Sequence, residues 1–194
     1  MKLQDIPVAE YSYLRECVEN GDLIFFSGVK IPDMIIKAQA KAKGRSPQFS
    51  HVAMVRRDYS RVKIIEAIPP ISREINLSNF LRYWRGDVVF TRVRTGLSCE
   101  RDDTIRELVI QYAIDNTGKQ YESISKMGTS FLTNKYSKIV GNNRLYCSEF
   151  MESAWAAVGI SISTEEDCGH PTPSDLFVTA AIVPIGRLVS PINP

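Results

Sequence analysis

The sequence predicts an α+β fold, a single domain over residues 1–194, and three observations carry that expectation. Compact apolar runs recur at Asp22–Phe26, Phe49–Arg56, Arg61–Ile68 and Asp87–Val93, more strands than a helical bundle has use for. Segments with helical periodicity cluster towards the two ends instead of alternating with the strands. A length of 194 residues with 44% hydrophobic side chains fills one core comfortably and is short for two.

Taken in order, the first 20 residues read as a short helical lead-in that stops at the turn signal Asn20-Gly21, and a buried strand follows at Asp22–Phe26. Pro32-Asp33 opens a helix whose apolar side is Met34, Ile35 and Ala38, with Asp33 placed to accept the free N–H groups of the first turn. That helix ends before Gly44. Phe49–Arg56 and Arg61–Ile68 form a hairpin turning at Asp58-Tyr59, and Pro69-Pro70 stops its second strand. Gly86 precedes the strand Asp87–Val93. Ile105, Leu108, Val109, Tyr112 and Ala113 recur at helical spacing, and Asn116 and Gly118 mark that helix's end. The Gly, Ser and Asn content of residues 121–143 suggests short helices and loops. From Cys147 to Val158 the pattern is helical again, with Phe150, Met151, Ala154 and Val158 as its buried stripe and Gly159 as its stop. Thr172-Pro173-Ser174-Asp175 caps a last short helix reaching Ala180, with proline in the first turn. Ala181–Val189 reads as a closing strand.

Composition narrows the function. With 24 basic and 22 acidic side chains the formal charge is +2, and no dense basic patch asks for a nucleic-acid partner. No segment approaches the roughly 20 apolar residues needed to span a bilayer. The N-terminal residues lack the apolar run of a signal peptide, so the expected location is cytoplasmic, with transient membrane contact left open. Cys17, Cys99, Cys147 and Cys168 show no CxxC spacing and are expected as free thiols. Cys168-Gly169-His170 is too sparse a set of donors for a metal centre and reads as a loop.

With two histidines, the search for a general base is short. His51 sits near the start of the strand Phe49–Arg56, and a turn at Asp58-Tyr59 sets it directly opposite Glu66, about 5 Å away at Cβ. Glu66 sits between Ile65 and Ala67, where a carboxylate needs a reason. Paired with His51 it would fix the imidazole tautomer and stabilise the imidazolium; a one-residue slip would turn it to the other face. Cys147 begins a helix, where the macrodipole favours a thiolate and free backbone N–H groups can receive an oxyanion. Nucleophile, base and orienting carboxylate thus come from three different elements.

Four segments carry a family resemblance: Gly21-Asp22-Leu23-Ile24-Phe25-Phe26, Phe49-Ser50-His51-Val52-Ala53-Met54, Ile65-Glu66-Ala67 and Tyr146-Cys147-Ser148-Glu149-Phe150. In order and spacing they resemble the circularly permuted, YiiX-like branch of the NlpC-type papain-like cysteine hydrolases, a branch with poxvirus members. The resemblance runs from about Gly21 to about Asp175, through Gly118-Lys119-Gln120-Tyr121 and Thr172-Pro173-Ser174-Asp175. In ordinary members the cysteine helix precedes the histidine strand; here the histidine comes first. The resemblance implies a permuted papain-like fold, an antiparallel sheet packed with helices, with Cys147, His51 and Glu66 as triad and Tyr121 as an oxyanion or substrate contact. A packing role for Tyr121 stays open.

The expected reaction is therefore cleavage of an amide bond in a small peptide or N-acyl amino acid through an acyl-enzyme, with no metal or organic cofactor. Two alternatives stand beside it. One is a lipid thioesterase or acyltransferase resembling the lecithin:retinol acyltransferases. The other is a non-catalytic module that holds an amino acid or lipid head group. Lys37, Lys41 and Lys43, on the helix from Asp33, could attract a substrate carboxylate or phosphate, or could simply face solvent.

Overall fold

The computed structural model of the protein describes residues 2–28, 37, 41, 46, 48–121, 144–163 and 171–188. The helix expected from Asp33 (Lys37 and Lys41 excepted), residues 122–143, Cys168 and His170 lie outside that set. Eight strands form one sheet: β1 (Leu23–Phe26), β2 (His51–Asp58), β3 (Arg61–Ile68), β4 (Ile71–Asn76), β5 (Val88–Val93), β6 (Gln120–Tyr121), β7 (Arg144–Leu145) and β8 (Ile182–Leu188). Their order is β7-β6-β4-β3-β2-β1-β5-β8. Neighbours are antiparallel except β6 and β7, which pair in parallel at one edge. Among the described residues the α-helices with defined bounds are α1 (Tyr11–Cys17), α2 (Leu77–Tyr83), α3 (Cys99–Asp115), α4 (Cys147–Ala156) and α5 (Pro173–Phe177). The architecture is α+β, as expected.

Alternation along the central strands divides the core into two layers. Leu23 and Phe25 of β1, Val52 and Met54 of β2, and Ile65 and Ala67 of β3 pack with side chains of α3, α4 and α5. Ile24 and Phe26, Ala53 and Val55, and Val62 and Ile64 pack with Leu14 of α1 and with Leu77 and Leu81 of α2. Both faces of β1 are covered, which explains why its four residues read as a continuous apolar run.

Several details differ from the sequence expectation. The hairpin turns at Tyr59-Ser60, with Tyr59 in the left-handed region at φ 53°. Asp58 faces Arg61 and Met54 faces Ile65, so the register is displaced by two residues from the expected one. A displacement of two keeps every side chain on its face. Helix α3 buries Arg106, Val109, Ile110 and Ala113, whereas Leu108 is exposed; its inner stripe is rotated towards Arg106. Trp155 replaces Val158 as the fourth fully buried residue of α4. β4 and α2 occupy a stretch to which the sequence reading assigns no element. Helix α5 stops at Phe177, three residues short of the expected end.

At the Asp22 end of β1 lies a buried ionic cluster. Arg106 Nη1 donates to Asp22 Oδ1 at 3.0 Å, Arg106 Nε donates to Asp102 at 2.8 Å, and the guanidinium sits 5.8 Å from the Trp155 ring centroid. The opposite end of β1, where Phe26 faces His51, is the end that builds the site.

Candidate active site

Helix α4 starts at Cys147 because the preceding Tyr146 is extended (φ −84°, ψ 161°) and its backbone N–H donates to Glu149 Oε2 in the first turn at 3.3 Å. Cys147 is 2% exposed, and its neighbours Phe150, Met151, Ala154 and Trp155 pin the helix to the sheet. Cys147 stands at the first position of α4, at the positive end of the helix dipole, so the thiol sits where a developing negative charge is welcome.

The two elements that carry Cys147 and His51 are tied by one short segment. The Ser148 hydroxyl donates to the Pro171 carbonyl. Three residues on, Ser174 Oγ accepts the Phe49 backbone N–H at 3.1 Å, two positions before His51. The segment is rigid in its own right: the Thr172 N–H donates to Asp175 Oδ2 at 2.7 Å, and the Asp175 N–H donates back to Thr172 Oγ1 at 3.2 Å. The expected cap at Thr172–Asp175 is therefore present, and it also braces the site.

His51 is the first residue of β2. Its Nε2 meets Glu66 Oε2 at 2.7 Å. On the observed register the two are diagonal neighbours on one face of the hairpin, not direct partners. Glu66 is completely buried, and its second oxygen, Oε1, accepts from Arg73 Nε at 2.9 Å and Nη2 at 2.8 Å. The ring of His51 stacks on Phe80 (centroids 6.3 Å apart, interplanar angle 26°), and Phe80 in turn stacks on Trp84 at 5.4 Å. With Nε2 committed to Glu66, Nδ1 is the nitrogen left for Cys147.

Burial opposes a charge on His51, but hydrogen bonds to Cys147 and Glu66 and their negative charges overrule it, pushing its pKa up to about 10. Burial likewise opposes the Glu66 carboxylate, and the hydrogen bonds and charges of His51 and Arg73 hold its carboxyl below the ordinary range. The geometry thus brings Glu66 against His51 and His51 within hydrogen-bonding reach of Cys147. Tyr121 is described by its backbone alone: it closes β6 opposite Leu145, two residues before Cys147. Among the described residues no three His, Cys, Asp or Glu side chains are grouped to hold a metal ion. No helix among them is long and apolar enough to cross a membrane.

Sequence reasoning missed Arg73, Ser174 and the Phe80–Trp84 stack. Arg73 had one usable signal: a turn at Pro69-Pro70 sets it directly across from Glu66, as the β3–β4 register shows.

A helix-borne cysteine, a strand-borne histidine earlier in the chain, and a sheet between helices define a papain-like enzyme in permuted order. Residues 17–175 match the permuted papain-like amidase family of the YaeF/YiiX type, the C92 peptidases, and the chain belongs to that family. It is accordingly a member of a family of papain-like cysteine amidases. Among solved structures it is similar to one described as the metalloprotein yiiX from Escherichia coli O157:H7, with 18% identity and a TM-score of 0.62, covering 88% of this chain and 98% of that one. At that identity the likeness speaks for the fold. No curated protein matches the chain.

Proposed function

We propose that the protein hydrolyses an amide bond in a small peptide or N-acyl amino acid, with Cys147 as nucleophile, His51 as acid and base, and Glu66 as the group that orients His51. We also place it in the NlpC-type branch with poxvirus relatives. One observation carries the reading: an imidazole held at 2.7 Å by a fully buried carboxylate, beside a thiol at the first residue of a helix.

In the proposed reaction the Cys147 thiolate attacks the substrate carbonyl carbon while His51 holds the proton. The Cys147 backbone N–H donates to the resulting oxyanion, and Tyr121, whose backbone lies beside Leu145, contributes a second contact. Collapse of the tetrahedral intermediate breaks the C–N bond. His51 gives its proton to the departing amine, leaving a thioester on Cys147. Water then attacks the thioester, His51 takes the water's proton, and the acid leaves as the thiolate–imidazolium pair is restored.

A second reading, an acyl-lipid thioesterase or acyltransferase, draws on the aromatic wall of Phe26, Phe80 and Trp84 beside His51, which suits an apolar acyl chain. A panel of charged and neutral amides, acyl esters and thioesters, run with wild type and Cys147→Ala, separates the two. Cysteine-dependent turnover of short amides is the expected result. Turnover confined to long-chain esters or thioesters moves the assignment to lipids. Equal ligand binding by both proteins without turnover defeats the enzymatic reading.

A further inference from the structure

We propose that Arg73 is a positioning residue of this site, whose guanidinium neutralises the buried Glu66 carboxylate and so completes a four-residue chain, Arg73–Glu66–His51–Cys147. The inference rests on the catalytic reading above and extends it to a residue on a fourth element.

Charge bookkeeping is the first argument. A thiolate at Cys147, a carboxylate at Glu66 and one imidazolium at His51 leave a net negative charge among groups that are 2%, 0% and 7% exposed. Uncompensated charge in such a place is costly, and the usual escape is for a carboxylate to take up a proton. A protonated Glu66 would no longer stabilise the imidazolium. Arg73 brings the sum to zero.

Geometry is the second. Arg73 lies directly across the β3–β4 ladder from Glu66, and both its bonds go to Oε1, leaving Oε2 entirely for His51. A planar fork does this in one rigid placement; a lysine could supply the charge but not both N–H groups. The Arg73 side chain is 47% exposed, so its own charge stays solvated while it serves a carboxylate with no water contact. Nothing places it against the thiol; it acts through Glu66.

Ile71, Arg73 and Ile75 share one face of β4, with Ile71 and Arg73 exposed and Ile75 partly buried, so the guanidinium reaches the buried carboxylate from the solvent side.

Removing the cation disfavours every anion in the cluster and favours the imidazolium, so the acid limb of Cys147 reactivity moves to higher pH. Among the described residues, the largest side-chain influences on Glu66 come from His51 and Arg73, and those on His51 from Cys147 and Glu66. A unit charge acting on the thiol across the Glu66 carboxylate and the His51 ring, at an effective dielectric constant of about 20, is worth on the order of one pH unit.

The test is the rate of Cys147 alkylation by iodoacetamide against pH, read by peptide mass spectrometry in wild type, Arg73→Gln and Arg73→Lys. The expected result is an acid limb raised by about one pH unit in Arg73→Gln, roughly a tenfold slower reaction on that limb, and largely restored in Arg73→Lys. A merely structural arginine would lower the rate without moving the limb, and that result overturns the proposal. Wild-type Cys147 reacting no faster than Cys17 and Cys99 would instead overturn the nucleophile assignment, and the role of Arg73 with it. Thermal melting of Glu66→Gln and of the double variant guards against misfolding of Arg73→Gln alone. If Arg73 acts through Glu66, its loss costs far less once Glu66 is neutral. A double variant that is unfolded while Glu66→Gln is folded contradicts the proposal.

Discussion

Glu66→Gln preserves the shape of the side chain and removes its charge, at a position with no exposed surface. Three N–H groups converge on this carboxylate: His51 Nε2–H, Arg73 Nε–H and Arg73 Nη2–H. A glutamine offers one carbonyl oxygen and one NH2 group, so in either orientation its amide N–H groups confront a donor. Breaking a buried charged pair on one side costs about 3–5 kcal/mol, out of a total stability of about 5–15 kcal/mol. For a chain of this size that lowers Tm by about 6–20 °C. The loss should depend on pH. Glu66, held below its ordinary 4.5, contributes stability that is present above that value and disappears as pH falls through its folded pKa. His51, raised from 6.5 to about 10, contributes stability that is full below 6.5 and disappears as pH rises through about 10. The gap between wild type and Glu66→Gln is therefore widest between about pH 5 and 7 and closes towards both extremes. Calorimetry from pH 4 to 10 measures it. A gap below about 1 kcal/mol, or one that ignores pH, would mean that Glu66 is not a charge held by His51 and Arg73.

Two further substitutions probe the other end of β1. Gly21 has φ +81°, and a Cβ there would meet Trp155 Cζ2 at 2.9 Å, so Gly21→Ala should cost about 1–3 kcal/mol; an unchanged urea midpoint would contradict it. Arg106→Met removes the 3.0 Å partner of the fully buried Asp22, whose carboxyl burial already raises. The expected loss is about 3–5 kcal/mol near neutral pH, shrinking under acid conditions as Asp22 takes up a proton, and a pH-independent loss would count against the charge argument.

The placement of the candidate site residues was legible because its signals are local. Cys147 opens a helix, and His51 and Glu66 stand among apolar neighbours on consecutive strands. The hairpin register was read two residues off, yet the pairing survived, since an even displacement leaves both side chains on one face. Arg73 was not legible for the opposite reason. An exposed cation on β4 reads as a solvated side chain until its partner on β3 is in view, and the same residue hid β4 by breaking the alternation of Ile71 and Ile75 that marks a strand. Arg106 misled in the same way: a buried arginine reads as a solvent-facing one, so the inner face of α3 was placed one position round. Ser174 and Pro171 brace Cys147 and His51 through contacts with Phe49 and Ser148 that are distant in sequence and carry no periodic signature. The fold class, resting on strand count and helix placement, needed none of these.

The central claim is that Cys147 and His51 share a proton as an ion pair although they are read in permuted order along the chain. With two histidines in the sequence, the imidazole resonances of His51 can be followed by NMR without ambiguity once His170→Gln has assigned the other. His51 is expected to stay protonated through neutral pH and to titrate near 10 in the wild type, and to titrate at distinctly lower pH in Cys147→Ala, where the thiol's share of the shift is gone. A wild-type His51 titrating near 6.5, or an identical titration in both proteins, would contradict the central claim.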